Sequence, residues 1–208
     1  MIPRYQKILF AVLLVAALAM GGALWHLRQR AHERLLAGED SAPTRAPEVA
    51  PNEQATLVVA NDADGSLLVQ GHSLPLPADP SARARAVLGK LLELYADPAA
   101  AHPVSGGASG VAQVFLLPVP GPKDKQNRDA ELAVVNLTGN FAASHPSGLE
   151  TETLTVLSIC ATLRANLPRV TQVRFLVDGQ ERPNLAGHAD LTRTYLTADA
   201  VPTGGNHP

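Results

Sequence analysis

The chain has 208 residues, of which 46% are hydrophobic, 17% charged and 4% aromatic, and its formal net charge is −2. Residues 1–40 carry two more basic than acidic side chains, so residues 41–208 are net −4. An acidic, aromatic-poor body lacks the positive footprint that phosphate neutralisation and base stacking require, which excludes nucleic-acid binding; a single cysteine, Cys160, excludes an internal disulfide and a cysteine-rich metal site.

Residues 1–7 are a short tail with two basic residues, Arg4 and Lys7. From Ile8 to Trp25 no residue is charged, and a helix extended to Leu27 is about 30 Å long, the thickness of a bilayer's hydrocarbon core. Ile8, Leu9, Phe10, Val12, Leu13, Leu14, Val15, Leu18 and Leu24 together favour insertion by about 3–5 kcal/mol. Residues 8–27 therefore read as a single-pass membrane anchor, with a cleaved signal sequence ending near Ala17-Leu18-Ala19 as the alternative. Basic residues flank both ends (Arg4 and Lys7 against Arg28, Arg30 and Arg34), so their count does not select an orientation. Residues 28–54 read as a juxtamembrane helix followed by a linker, in which Pro43, Pro47 and Pro51 interrupt small and polar residues.

The folded part is expected over residues 55–199. Leu57-Val58-Val59 and Leu67-Leu68-Val69 flank Asn61–Gly65 and predict a hairpin. Asp79 and Pro80 predict a helix start, and Ala84, Val87, Leu88, Leu91, Leu92 and Tyr95 form one apolar stripe behind it. A Gly/Ala/Ser-rich loop, residues 99–110, precedes a strand at 111–117. A second, Pro-rich loop (118–129) leads to a strand at 132–137. Ser147 and Glu150 have capping-box spacing, and the helix they would start carries Leu149, Val156, Cys160, Leu163 and Leu167 on one side. The last strand, 171–177, ends in the turn signal Asp178-Gly179. Residues 200–208 read as a disordered tail. The order predicts an α+β two-layer sandwich, a small mixed sheet with two helices packed on one face.

Little in the chain signals chemistry. Cys160 falls in the apolar stripe of the second helix and reads as core. The seven histidines (His26, His32, His72, His102, His145, His188 and His207) are scattered without metal-ligand spacing, and the loop residues His102 and His145 read as solvated. Asp190 stands near His188 and would orient its imidazole, although a locally bonded turn accounts for the same residues. The Ser105–Gly110 stretch matches neither a nucleophile elbow nor a phosphate loop and reads as a mobile loop. Asp62-Ala63-Asp64-Gly65 lacks the remaining ligands of a calcium loop and reads as the hairpin turn. Asn136-Leu137-Thr138 is a glycosylation sequon placed within a strand. No catalytic, cofactor-binding or metal-ligating set is assigned.

Several stretches resemble one family. Leu132–Phe141 (LAVVNLTGNF) resembles the strand and turn A-x-V-[DN]-L-[ST]-x-x-F of the GerMN domain of spore-germination and sporulation proteins. Val173–Gly179 (VRFLVDG) is similar to its V-x-F-x-[VI]-D-G strand and turn, and Gly187–Leu191 (GHADL) to its G-x-x-D-L tail. The resemblance covers about residues 55–199 in a single copy, with Val135, Leu137, Phe141, Gly139 and Asp178-Gly179 as folding residues. It implies no catalytic set, but an exported, envelope-anchored domain acting through contacts. With the anchor, it implies a membrane protein whose domain lies outside the cytoplasm and serves as a scaffold for envelope proteins or for itself. Glycan binding to peptidoglycan is the first alternative. A cell-wall-modifying enzyme built around His145, His188 and Asp190 is the second.

Overall fold

The structure, a computed structural model, describes residues 6, 13, 14, 18–22, 24, 25, 50–119, 129–200 and 202. The chain divides into two compact units, Met1–Glu48 and Val49–Pro208. In the first, the described residues are helical, and Leu13, Leu14, Leu18, Met20, Leu24 and Trp25 expose their apolar side chains. No helix among the described residues is long and apolar enough to cross a membrane. The expected anchor (8–27) lies mostly outside the described residues, as do 28–49 and all of the tail beyond Ala200 except Pro202.

The second unit opens with the hairpin β1 (Asn52–Asn61) and β2 (Ser66–Pro75), which starts three residues inside the stretch read as linker. Asn61 pairs with Ser66, leaving Asp62–Gly65 as the turn, with Gly65 at φ +67°. Asp64 Oδ1 accepts from the Ser66 N–H at 3.0 Å and closes that turn. Helix α1 (Pro80–Tyr95) begins where expected: Asp79 Oδ2 accepts the Ala82 N–H at 2.7 Å, and all six stripe residues are buried.

Strands β3 (Val111–Pro118), β4 (Glu131–Leu137), β5 (Val170–Val177) and β6 (Tyr195–Leu196) follow, with short helix α2 (Gly139–Ser144) and helix α3 (Leu149–Asn166) crossing between β4 and β5. They form a sheet of order β3-β4-β5-β6, in which only β4 and β5 run parallel. The expected α+β sandwich with helices on one sheet face is present. The hairpin, however, is a separate two-stranded sheet and not part of the mixed one. Alternation explains the sidedness: Ala133, Val135 and Leu137 of β4 and Val173, Phe175 and Val177 of β5 are buried, whereas the residues between them are not.

Helix α3 departs most from expectation. Leu149, assigned to its apolar stripe, is 68% exposed, while Glu152, Thr155, Ser158 and Thr162 are fully buried. The capping box does not form. The residue before the helix is Gly148, whose N–H is taken by Glu152 Oε1 at 3.2 Å from inside the helix.

The polar side of α3 is buried because it completes the hairpin. The outer edge of β1 has no neighbouring strand, and side chains take its backbone groups. Thr56 N–H donates to Asn166 Oδ1 at 3.0 Å, and Val58 N–H to Thr162 Oγ1 at 2.9 Å. The Ala60 N–H donates to the Tyr95 hydroxyl at 2.9 Å, and Asn166 Nδ2 donates back to the Thr56 carbonyl at 2.6 Å. Every second residue of an open edge is thereby sealed, as burial of backbone polar groups demands.

Candidate functional site

The titratable side chains that could do chemistry converge below the hairpin turn. His102 and His145, read as solvated loop residues, are 0% and 5% exposed. His102 Nδ1 lies 2.5 Å from Asp62 Oδ1, and its Nε2 lies 2.7 Å from Thr155 Oγ1. On the other side of the same hydroxyl, His145 Nε2 lies at 2.8 Å, while His145 Nδ1 donates to the Pro146 carbonyl at 2.8 Å. Burial holds the His145 pKa below the ordinary imidazole range, against the Pro146 carbonyl, which favours the proton. A neutral His145 that donates from Nδ1 must accept at Nε2, so the Thr155 proton is shared between that nitrogen at 2.8 Å and the Thr151 carbonyl at 3.1 Å. Thr155 oxygen then accepts from His102 Nε2–H, and His102 Nδ1 faces the Asp62 carboxylate.

Asp62, His102 and Thr155 stand in the acid–base–hydroxyl order of a nucleophilic site. Thr155 is nevertheless 0% exposed and held between two imidazoles. Tyr95 packs edge-on against His102 with ring centres 4.6 Å apart, and burial pushes its hydroxyl up to about 12. Phe141 closes the His145 side in the same manner at 5.6 Å. The arrangement ties the hairpin turn, the 99–104 segment and α3 together as a fully bonded polar interior. Thr155→Val keeps the shape but strands two ring nitrogens, and it is expected to lower unfolding free energy by about 2 kcal/mol in chemical denaturation.

One turn earlier on α3, Glu152 holds the segment after β5. Its Oε2 accepts the N–H groups of Ala186, His188 and Ala189 at 3.0, 2.9 and 2.8 Å, and its Oε1 accepts His188 Nδ1 at 2.9 Å. Burial alone would raise this carboxyl, but the donors outweigh it and hold the pKa at about 2. The carboxylate on His188 is thus Glu152, not Asp190, whose Oδ1 caps Thr192 at 2.8 Å. His188 and His145 both bond to α3 but to different residues of it, so His145, His188 and Asp190 do not form one site. His26, His32 and His207 lie outside the described residues, and His72 Nε2 lies 3.3 Å from Gln70 Oε1. Cys160 is buried in the core, and burial pushes its thiol up to about 12.

The two strand-and-turn motifs meet at the ends of β4 and β5. Asp178 (φ 50°) and Gly179 (φ 75°) make a tight turn of two positive-φ residues. Asp178 Oδ1 accepts the Gly139 N–H at 2.8 Å, and Asn136 Oδ1 accepts the Gly179 N–H at 2.8 Å. A Cβ on Gly139 would sit 2.1 Å from Asp178 Oδ2, so a larger residue there would displace the Asp178 carboxylate from this bond. Asn136, the sequon residue, is thereby committed to the turn.

Among the described residues, what remains open is the other face of the four-stranded sheet. Phe115 and Leu117 of β3 are 46% and 47% exposed, and Leu196 of β6 is 48% exposed. Between them, in register, lie the half-buried Leu132 and Val134 of β4 and Gln172, Arg174 and Leu176 of β5. The exposed apolar residues thus run from one sheet edge to the other.

The family model described as Germane, sporulation and spore germination, matches residues 57–183, more than half of the chain. Among solved structures, the tandem GerMN domains of the sporulation protein GerM from Bacillus subtilis are similar at 16% identity, over 76% of this chain and 51% of that one, with a TM-score of 0.43. This chain therefore spans about half the length of that tandem pair. A putative lipoprotein from Clostridium perfringens is similar at 17% identity, over 76% of this chain and 95% of that one, with a TM-score of 0.33. The first GerMN domain of the same GerM protein is similar at 16% identity, over 68% of this chain and 94% of that one, with a TM-score of 0.36. No curated protein matches this chain. With the Asn136–Phe141 and Val173–Gly179 motifs clasped at the head of the parallel strand pair, and the family match running through both, the chain belongs to the Germane family of GerMN domains.

Proposed function

We propose that this chain is a non-catalytic interaction module of the cell envelope, tethered through residues 8–27 and held off the bilayer by its Pro-rich linker. The observation that carries the reading is the uncovered sheet face marked by Phe115, Leu117 and Leu196. Large apolar side chains collected on one face mark a contact surface, whereas His102, His145, Thr155 and Glu152 are spent inside the fold. The charge-free run from Ile8 to Trp25 supports the tether, as do the exposed apolar side chains of its described residues. The domain is then outside the cytoplasm and its partner an envelope protein, with sporulation or germination the process that the family description suggests.

The test uses the full chain in its native membranes. A photo-crosslinking residue at Phe115 or Leu117 is expected to capture a defined partner. With the crosslinker at one of these positions, the charge at the other (Leu117→Glu or Phe115→Glu) should lower capture by about tenfold or more, with an unchanged thermal midpoint. Release of the uncut chain by alkaline washing would overturn the tether. Capture indifferent to that charge, or pelleting with peptidoglycan in its place, would overturn the interaction surface.

A further inference from the structure

The outer edges of β1 and β3 are treated differently. The outer edge of β1 is closed by side chains of α1 and α3. The outer edge of β3 has no such cover among the described residues, where its strand pairing is to β4 alone. Nor is it protected by charge: Val111–Pro118 reads VAQVFLLP, without a lysine, arginine or carboxylate. An edge of this kind is a template for another strand.

A trough of about 570 Å³ lies between α1 and the start of β3, lined by Ala82, Arg85, Ala86 and Gly89 of the helix, by Val111 and Ala112 of β3 and by Pro77, Ser109 and Thr138 beside them. Ala82, Ala86 and Gly89 lie on one helix face and leave room; a Cβ at Gly89 would meet nothing within 4 Å. Pairing slips between Val111 and Gln113, so Ala112 has no partner residue on β4. Arg85 is exposed and is the one charged residue lining the trough. It has no carboxylate partner among the described residues.

A helix on one side and a free strand edge on the other is the geometry of strand addition. We propose that the trough takes an extended acidic peptide segment of a partner, laid along β3 as a further strand. Its backbone pairs with the β3 edge, its small or apolar side chains lie over Ala86 and Gly89, and a carboxylate meets Arg85. A second copy of β3 fits less well, because that strand brings no carboxylate to Arg85. The proposal rests on the reading of the chain as an interaction module, and adds the chemistry of the segment it holds.

The test presents a displayed library of random peptides to the full chain in detergent micelles. Enriched peptides should combine β-forming residues with Asp or Glu. Fluorescence anisotropy with the strongest of them should show binding weakened about tenfold or more by Arg85→Glu, by Ala86→Trp and by N-methylation of alternate peptide amides. No enrichment, enrichment without acidic residues, indifference to Arg85→Glu or to N-methylation, or dimerisation of the chain through β3 would each overturn the proposal. If the peptide arm fails while crosslinkers at Phe115 and Leu117 still capture a partner, the trough assignment falls and the interaction-module reading stands.

Discussion

Replacing Glu152 with alanine is expected to lower the unfolding free energy of the domain by about 3–5 kcal/mol, read as a fall in the urea midpoint at constant slope. The side chain is fully buried, and its two oxygens serve the N–H groups of Gly148, Ala186, His188 and Ala189 and the His188 ring. Its removal orphans the start of α3 and the segment after β5 together. Glu152→Gln should cost less but remain clearly destabilising, since its amide nitrogen would face a donor where an acceptor is required.

The same residue shapes the acid response. Its folded pKa, about 2, lies below the ordinary glutamate value of 4.5, so its stabilisation is complete above 4.5 and disappears as pH falls from there towards 2. His145 acts at higher pH. Because burial depresses its pKa below 6.5, the unfolded chain takes up that proton first, and stability declines as pH drops below 6.5. Unfolding midpoints recorded against pH should therefore fall in two stages. Glu152→Gln should flatten the lower stage and leave the upper one intact. A single stage in the wild-type chain, or a lower stage unchanged in the variant, would contradict the assignment.

Gly107→Ala is expected to cost about 3 kcal/mol or more, by the same measurement. A Cβ there would stand 2.0 Å from the Leu92 carbonyl oxygen and 3.0 Å from its carbon. Both atoms belong to the backbone of α1, so no side chain can swing aside. Gly110 is nearly as confined, its Cβ falling 2.7 Å from Leu92 Cδ1 and 2.9 Å from Phe141 Cδ2. Side chains crowd that position, so Gly110→Ala should cost less. The 105–110 stretch is thus a close-packed joint between α1 and the start of β3, where composition alone suggested a mobile loop. Glycine-rich sequence marks both close approach and flexibility, and only the neighbouring backbone distinguishes them.

Elements whose physics is local were legible in the chain. The N-cap Asp79 and the one-sided apolar stripe of α1 mark a helix because both act within a turn or two. The alternation in β4 and β5 marks strands with one buried face, and Asp178-Gly179 marks its turn through the positive φ of both residues. The candidate site was not legible. His102 and His145 are separated by 43 positions and meet through Thr155, so no spacing rule connects them. Glu152 and the 186–189 segment are equally remote, which is why Asp190, the near neighbour in sequence, was the wrong carboxylate for His188.

By itself the sequence determined the class of the fold, the order of its main elements and the family motifs at the ends of β4 and β5, because each depends on interactions between near neighbours along the chain. Tertiary structure alone decided which polar residues are interior. Glu152, Thr155, Ser158, Thr162 and Asn166 recur at helical spacing like a solvated face, yet they turn inward. The edge of β1 and the segment after β5 bring backbone donors that must be satisfied where water is excluded.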